Sequence, residues 1–137
     1  MAESTRLVDV IQGTLDAFLD ERESELTSIA HDLRPFVDFS RDLLRGGKRF
    51  RALFCYWGNR AVTDTAKDDS EPLNSNSEPL DTVVLAASAL EMFHAAALVH
   101  DDIIDNSATR RGLPAVHERF AALHHESGWI GDGAHFG

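Results

Sequence analysis

The sequence has a single cysteine, Cys55, so no disulfide can close within the chain, and a reducing compartment is the expected setting. It is short of basic residues: 13 Lys and Arg stand against 23 Asp and Glu, a formal charge of −10. General nucleic-acid binding is therefore disfavoured, because phosphate contacts need a basic surface. A local anion site is still allowed, since a few arginines or a bound cation can reverse the sign at one place. The start, MAESTRLVDVIQG, lacks the cationic stretch and apolar run of a secretory signal. The longest apolar stretch, residues 83–99, is interrupted by Ser88, Glu91 and His94, which favours a buried helix over a membrane span. No segment alternates apolar and polar residues as a strand would. What remains is an all-α chain of one domain or less, soluble and cytoplasmic, with 43% hydrophobic residues from which to build a core.

The helices can be placed by period. STRLVDVIQGTLDAFLDERESEL carries Leu7, Val10, Ile11, Leu15, Phe18 and Leu19 at spacings of three and four, with Ser4 or Thr5 as N-cap. Residues 25–30 continue or restart that helix. Pro35 opens a short helix, PFVDFSRDLLR, which Gly46-Gly47 ends. KRFRALFCYWGNRAV is the next. Residues 63–81 are polar, contain SEPL twice and lack periodicity, as expected of a solvated loop. From Asp81, read as an N-cap, an alanine-rich helix runs to about Asp105. It is apolar on most sides, as a central helix would be. Gly112-Leu-Pro then turns the chain into PAVHERFAALHHE, with Pro114 near the first turn of a last helix.

The chemistry gathers at the end of the central helix, in FHAAALVHDDIIDNSATRRG. At 100° per residue, with His94 at zero, Asp101 falls at about −20° and Asp105 at about 20°. Asp102 lies about 80° away, off that line. Carboxylates at i and i+4 are close enough to share a hard cation, and Mg²⁺ commonly takes one or two carboxylates with phosphates and water. Acidic side chains at a helix C-terminus oppose the dipole by roughly 0.3–1 kcal/mol each, so folding alone would favour lysine there. A solvated acidic helix end is the plain alternative. Arg110 and Arg111 supply rigid forks suited to phosphate oxygens, or to ion pairs with these same aspartates. Upstream, LLRGGKRFR sets Lys48, Arg49 and Arg51 after a glycine pair at a helix start, where backbone N–H groups favour an anion. Lys48 and Arg51, three apart, are expected to face the same way. The bland reading of such a turn is simple solvation, and that of His94 a satisfied core histidine.

Taken together, GGKRFR, a helix carrying His94 and DDIID, and RRG shortly after it resemble the trans-isoprenyl diphosphate synthases, or polyprenyl synthetases. The match is dense over residues 44–117, and FHAAALVHDDIID is similar to the family's first aspartate-rich motif. The resemblance implies the N-terminal part of an isoprenoid-synthase-type helical bundle, with residues 1–137 a partial domain. It also implies head-to-tail coupling of an allylic prenyl diphosphate with isopentenyl diphosphate. Asp101 and Asp105 would hold Mg²⁺ on the allylic diphosphate, and Arg110 would bind that same group. Lys48, Arg51, His94 and Arg111 would hold the diphosphate of isopentenyl diphosphate. Residues five and four before Asp101 are Ala96 and Ala97, where the family uses bulky aromatics to stop growth near fifteen carbons. Alanine at both implies a geranylgeranyl or longer product, and Ala97 lies about 40° from Asp101, one turn away.

Family members are more than twice as long and carry a second aspartate-rich motif. Asp68-Asp69 and Asp132 do not substitute for it. The expectation is thus a truncated frame or fragment, or a small partner subunit, without turnover by itself; the complete enzyme is expected to be a homodimer. A class I terpene cyclase also uses DDxxD with Mg²⁺ but has no need of GGKRFR.

Overall fold

A computed structural model describes residues 2–63 and 78–136; of the polar stretch expected as a loop at 63–81, residues 64–77 lie outside the described residues, whereas Thr63 and residues 78–81 are helical, a correction to that expectation. Among the described residues the chain is all-α apart from one minute hairpin. It divides into two compact units, residues 1–93 and 94–137.

The first unit opens with α1 (Ala2–Ile29). The helix begins upstream of Ser4 and Thr5, so neither is its N-cap, and residues 25–29 extend it without a break. Leu7, Ile11, Leu15 and Leu19 are all buried. These lie four apart, one stripe that drifts slowly around the helix. Val10 and Phe18, expected on the same face, fall off that stripe and are exposed. The Phe18 ring is instead covered from outside by the Arg22 guanidinium, 5.3 Å from its centroid. Ala30 adopts an extended backbone and ends the helix, and a single 3₁₀ turn (His31–Leu33) leads into α2 (Arg34–Leu44). Pro35 occupies the first turn of α2, where its missing N–H costs nothing. Arg41 ties α2 to α1 through Asp20 at 2.9 Å and Glu23 at 3.1 Å. Its pKa is raised, chiefly by the hydrogen bond to Asp20.

Gly46 (φ 70°) and Gly47 (φ 90°) turn the chain after α2. The following helix, α3 (Phe50–Thr63), begins two residues later than its sequence suggests, because Arg49 at φ 50° is not helical. Lys48 thus precedes the helix, and the three-residue spacing that was to align it with Arg51 does not apply. Val37 and Leu44 of α2 join Ala52 and Tyr56 of α3 in the core.

The long helix α4 (Glu78–Ile104) starts three residues before Asp81, which therefore lies within its first turn and is not its cap. Pro79 suits that first turn. In the first unit α4 buries Val84, Ala87, Ser88 and Glu91, one stripe at helical spacing. Leu85, Leu90 and Phe93 are exposed. The expectation of a helix buried on most sides is thus corrected: its composition is apolar all round, but these residues cover only one stripe of it. By length and composition alone, Thr82–Ile104 is apolar enough to cross a membrane, with a mean hydropathy of 1.7.

The second unit holds the end of α4, strands β1 (Thr109–Arg110) and β2 (Leu113–Pro114), helix α5 (Val116–Glu126) and a 3₁₀ turn (Gly133–His135). The strands pair antiparallel, Thr109 with Pro114 and Arg110 with Leu113. The two residues between them, Arg111 (φ 53°) and Gly112 (φ 80°), are both left-handed, as a type I′ hairpin loop requires. The sequence carried only a weak signal for this hairpin, since Arg-Gly is not among the favoured I′ pairs. Pro114 accordingly belongs to β2, not to the first turn of α5, whose N-cap is Ala115. Phe120, His124, Trp129 and Phe136 pack edge-on or tilted at centroid distances of 5.0–6.0 Å, fastening α5 to the last turn.

Candidate metal and diphosphate site

The candidate site is built by how α4 stops. Asn106 has a left-handed backbone (φ 51°). The Asn106 N–H donates to the Ile103 carbonyl at 3.3 Å, and the Ser107 N–H to the Asp102 carbonyl at 2.8 Å. That pair of bonds is a Schellman ending with asparagine at the left-handed position. The Asp105 N–H still donates to the Asp101 carbonyl at 2.8 Å, so Asp101 and Asp105 remain one helical turn apart. Both are exposed, Asp101 with 60% of its side chain accessible.

Asp102 goes the other way. It is 2% exposed, and Arg110 grips it with both arms of its fork: Nε donates to Oδ2 at 2.7 Å and Nη2 to Oδ1 at 2.6 Å. Arg110 lies on β1, eight residues beyond Asp102. Arg110 Nη2 also reaches Asp101 Oδ2 at 3.4 Å. The guanidinium pKa is raised above its ordinary value, mainly by the hydrogen bond to Asp102; burial opposes this, and the charges of Asp102, Asp101 and Asp105 add to it. An arginine is thus fixed beside two exposed carboxylates by a third, buried one. Sequence reasoning put Asp102 off the line of the other two but gave it no part. Its 80° offset, with an arginine eight residues on, was the available signal.

Among the described residues no group of three or more His, Cys, Asp or Glu could hold a metal ion. Asp101 and Asp105 offer hard carboxylate oxygens, and Mg²⁺ often takes one or two carboxylates and fills its remaining positions with phosphate oxygens and water. The donor set fits Mg²⁺ carried with a diphosphate better than a metal caged by protein alone.

The other expected residues are placed as follows. His94 is half-buried and Arg111 exposed on the hairpin loop. Ala96 and Ala97 are exposed on α4, and His100 bonds back to the Ala96 carbonyl through Nδ1 at 2.9 Å. In the first unit, Lys48 and Arg51 are exposed, with the Lys48 ammonium 5.7 Å from the Phe50 ring centroid. Arg49 does not join them as an anion ligand: it is buried and paired with Glu91 at 3.2 Å. Asp132 accepts from the Ala134 N–H at 3.0 Å and caps the last turn, while Asp68-Asp69 lie outside the described residues.

Comparison with known proteins decides the family. The polyprenyl synthetase family model matches residues 35–124, well over half of the chain. This chain belongs to the polyprenyl synthetase family. Among curated polyprenyl synthetase relatives, the "Probable farnesyl diphosphate synthase" of Bradyrhizobium diazoefficiens is 43% identical over 79 residues, 56% of this chain and 20% of that protein. The short chain isoprenyl diphosphate synthase of Methanocaldococcus jannaschii is 36% identical over 100 residues, 67% of this chain and 26% of that protein. The chain therefore spans about a fifth to a quarter of these relatives. The geranylgeranyl pyrophosphate synthase of Corynebacterium glutamicum, solved with isoprenyl diphosphate and magnesium, superposes with a TM-score of 0.76 at 38% identity. That match covers 96% of this chain and 35% of that one. The all-α isoprenoid-synthase fold is thus established, as the resemblance implied.

Proposed function

We propose that this chain carries part of the active site of a trans-prenyltransferase, one that joins an allylic diphosphate to isopentenyl diphosphate head to tail. The observation that carries the proposal is the end of α4. Asp101 and Asp105 stand exposed one turn apart, beside an arginine already oriented by a buried carboxylate. Support also comes from the Corynebacterium synthase, whose structure contains isoprenyl diphosphate and magnesium.

Asp101 and Asp105 would hold Mg²⁺ together with the allylic diphosphate. Bound there, it would supply positive charge to a leaving group that becomes more negative as the allylic C–O bond breaks. Arg110 binds the same diphosphate through guanidinium hydrogens that Asp102 does not occupy. Asp102 keeps its fork from swinging, so little reorganisation is needed as charge develops. Lys48 and Arg51, and separately His94 and Arg111, are the groups assigned to the diphosphate of isopentenyl diphosphate. Its double bond then attacks the allylic cation, and a proton leaves to the departing diphosphate. The apolar α4 surface would keep water from the cation. Small side chains at Ala96 and Ala97 leave room for a geranylgeranyl or longer tail. The complete enzyme is proposed to be a cytoplasmic homodimer. We read α4 as a bundle helix, not a membrane span, since it buries Glu91 in an ion pair and carries Asp101 and Asp102 in its last turn, with Asp105 just beyond.

The test is calorimetry with a non-ionising allylic thiolodiphosphate, with and without Mg²⁺. Metal-dependent binding by the wild type, lost in Asp101→Ala, is expected. Equal binding with and without metal would overturn the proposal. Binding of isopentenyl diphosphate by the wild type, weakened by Lys48→Ala, separates a prenyltransferase from a terpene cyclase, which needs no such second ligand.

A further inference from the structure

Within GGKRFR, the residue between the two exposed cations is treated differently from both. Lys48 and Arg51 are exposed, whereas Arg49 is 6% exposed and left-handed at φ 50°. That conformation is uncommon for a non-glycine residue. Here three groups hold the side chain. Arg49 Nη1 donates to Glu91 Oε2 at 3.2 Å, and Nη2 donates to the Gln12 side-chain oxygen and to the Leu44 carbonyl. One guanidinium thus joins α1, the end of α2 and α4.

Glu91 also works at the other end of the same turn. Its second oxygen, Oε1, accepts from the Ala52 backbone N–H at 3.3 Å. Ala52 lies in the first turn of α3, where amides have no partner within the helix. The first bond within the helix, Leu53 N–H to the Arg49 carbonyl at 2.9 Å, makes Arg49 the residue that starts α3. A single buried carboxylate therefore fixes both the residue that begins the helix and the amide three positions along. Lys48 immediately precedes that residue, and Arg51 immediately precedes that amide.

We infer that Arg49 and Glu91 form a clamp that holds the GGKRFR turn in one conformation, a positioning pair presenting Lys48 and Arg51 to a diphosphate. The inference rests on the proposed role of Lys48 and Arg51 as diphosphate ligands. Neither clamp residue touches that ligand. Their effect is to order the turn before binding, so that less freedom is lost when the anion arrives.

The test uses two variants of the full chain, with inorganic pyrophosphate in metal-free buffer as the probe. Arg49→Met with Glu91→Leu removes both charges together and strands neither, a replacement that buried pairs often tolerate. Arg49→Lys keeps the charge but loses the fork that serves three partners. Calorimetry gives pyrophosphate affinity, amide exchange reports on residues 46–53, and thermal unfolding is the control. With the unfolding temperature little changed, the double variant should exchange the Ala52 and Leu53 amides about tenfold faster. It should bind pyrophosphate about tenfold more weakly, with Arg49→Lys between it and wild type. Unchanged exchange would show that there is no clamp. Faster exchange with unchanged affinity would make the pair merely structural and overturn the positioning role. Should the double variant not fold, Arg49→Lys decides alone, and wild-type affinity in it overturns the inference. A wild type that binds no pyrophosphate, though its exchange depends on the pair, would overturn the roles of Lys48 and Arg51 as well.

Discussion

Replacing Asp102 and Asp101 separately by asparagine should divide the site into a part that holds shape and a part that holds ligand. Asp102 is 2% exposed and makes two charge-assisted hydrogen bonds, at 2.6 and 2.7 Å, to one guanidinium. Removing one partner of a buried pair costs about 3–5 kcal/mol, because the other charge is stranded. Asparagine keeps the shape and one acceptor, and Arg110 retains 27% exposure and can turn partly to Asp101 or water. A loss of about 2 kcal/mol is therefore expected for Asp102→Asn. Asp101 meets Arg110 only at 3.4 Å and is mostly in solvent. Asp101→Asn should change stability by less than about 0.5 kcal/mol. Urea unfolding followed by circular dichroism measures both. Metal-dependent binding of an allylic diphosphate analogue should respond in the opposite order, collapsing in Asp101→Asn and falling by less in Asp102→Asn at urea-free conditions. Equal stability losses, or an Asp102→Asn protein as stable as wild type, would refute the assignment of Asp102 to holding Arg110. The Arg110 contribution has a defined pH dependence too. A raised folded pKa means the stabilisation is complete below the unfolded value and is lost only as pH rises through the folded one. Across about pH 6–9 the guanidinium should thus contribute a constant amount.

Asp105→Ala should weaken binding of the Mg²⁺–diphosphate pair by about tenfold or more while leaving stability within about 0.5 kcal/mol, since its side chain is exposed. Gly112→Ala should destabilise the hairpin by about 1 kcal/mol in urea unfolding, for conformational reasons alone, because φ is +80° and nothing beyond its chain neighbours lies within 4 Å of the added methyl. Ala97→Phe should weaken binding of a geranylgeranyl diphosphate analogue but not of a dimethylallyl one; equal effects on both would remove Ala97 from the path of the tail.

Much of the fold was legible because local rules sufficed. The α1 stripe follows from its four-residue spacing, and Pro35 and Gly46-Gly47 bracket α2 through backbone chemistry alone. The aspartate pair on α4 could be read as angles on a helix. What could not be read depends on residues distant in sequence. GGKRFR offers three basic residues of similar appearance, and Glu91, 42 positions away, together with Gln12 and the Leu44 carbonyl, selects Arg49 for burial. The α3 start moved for the same reason: the left-handed backbone of Arg49 is held by tertiary bonds that helix propensity does not contain. α4 misled differently. Its composition is apolar all round, and a period cannot say which of several apolar stripes a neighbouring helix will cover. Asp102 was passed over because its partner Arg110 lies eight positions on, in a hairpin that turns on Arg-Gly, a pair that seldom announces a type I′ loop.

We propose that Asp101 and Asp105, at the end of α4, hold a divalent cation and through it a diphosphate. Paramagnetic relaxation by Mn²⁺, read on side-chain resonances of the ¹⁵N- and ¹³C-labelled chain, tests this. Mn²⁺ with pyrophosphate should broaden the Asp101 and Asp105 carboxyl signals and the Arg110 Nε–H together, far more strongly than Mn²⁺ alone. Broadening centred on Asp68 and Asp69, or none that depends on pyrophosphate, would contradict it.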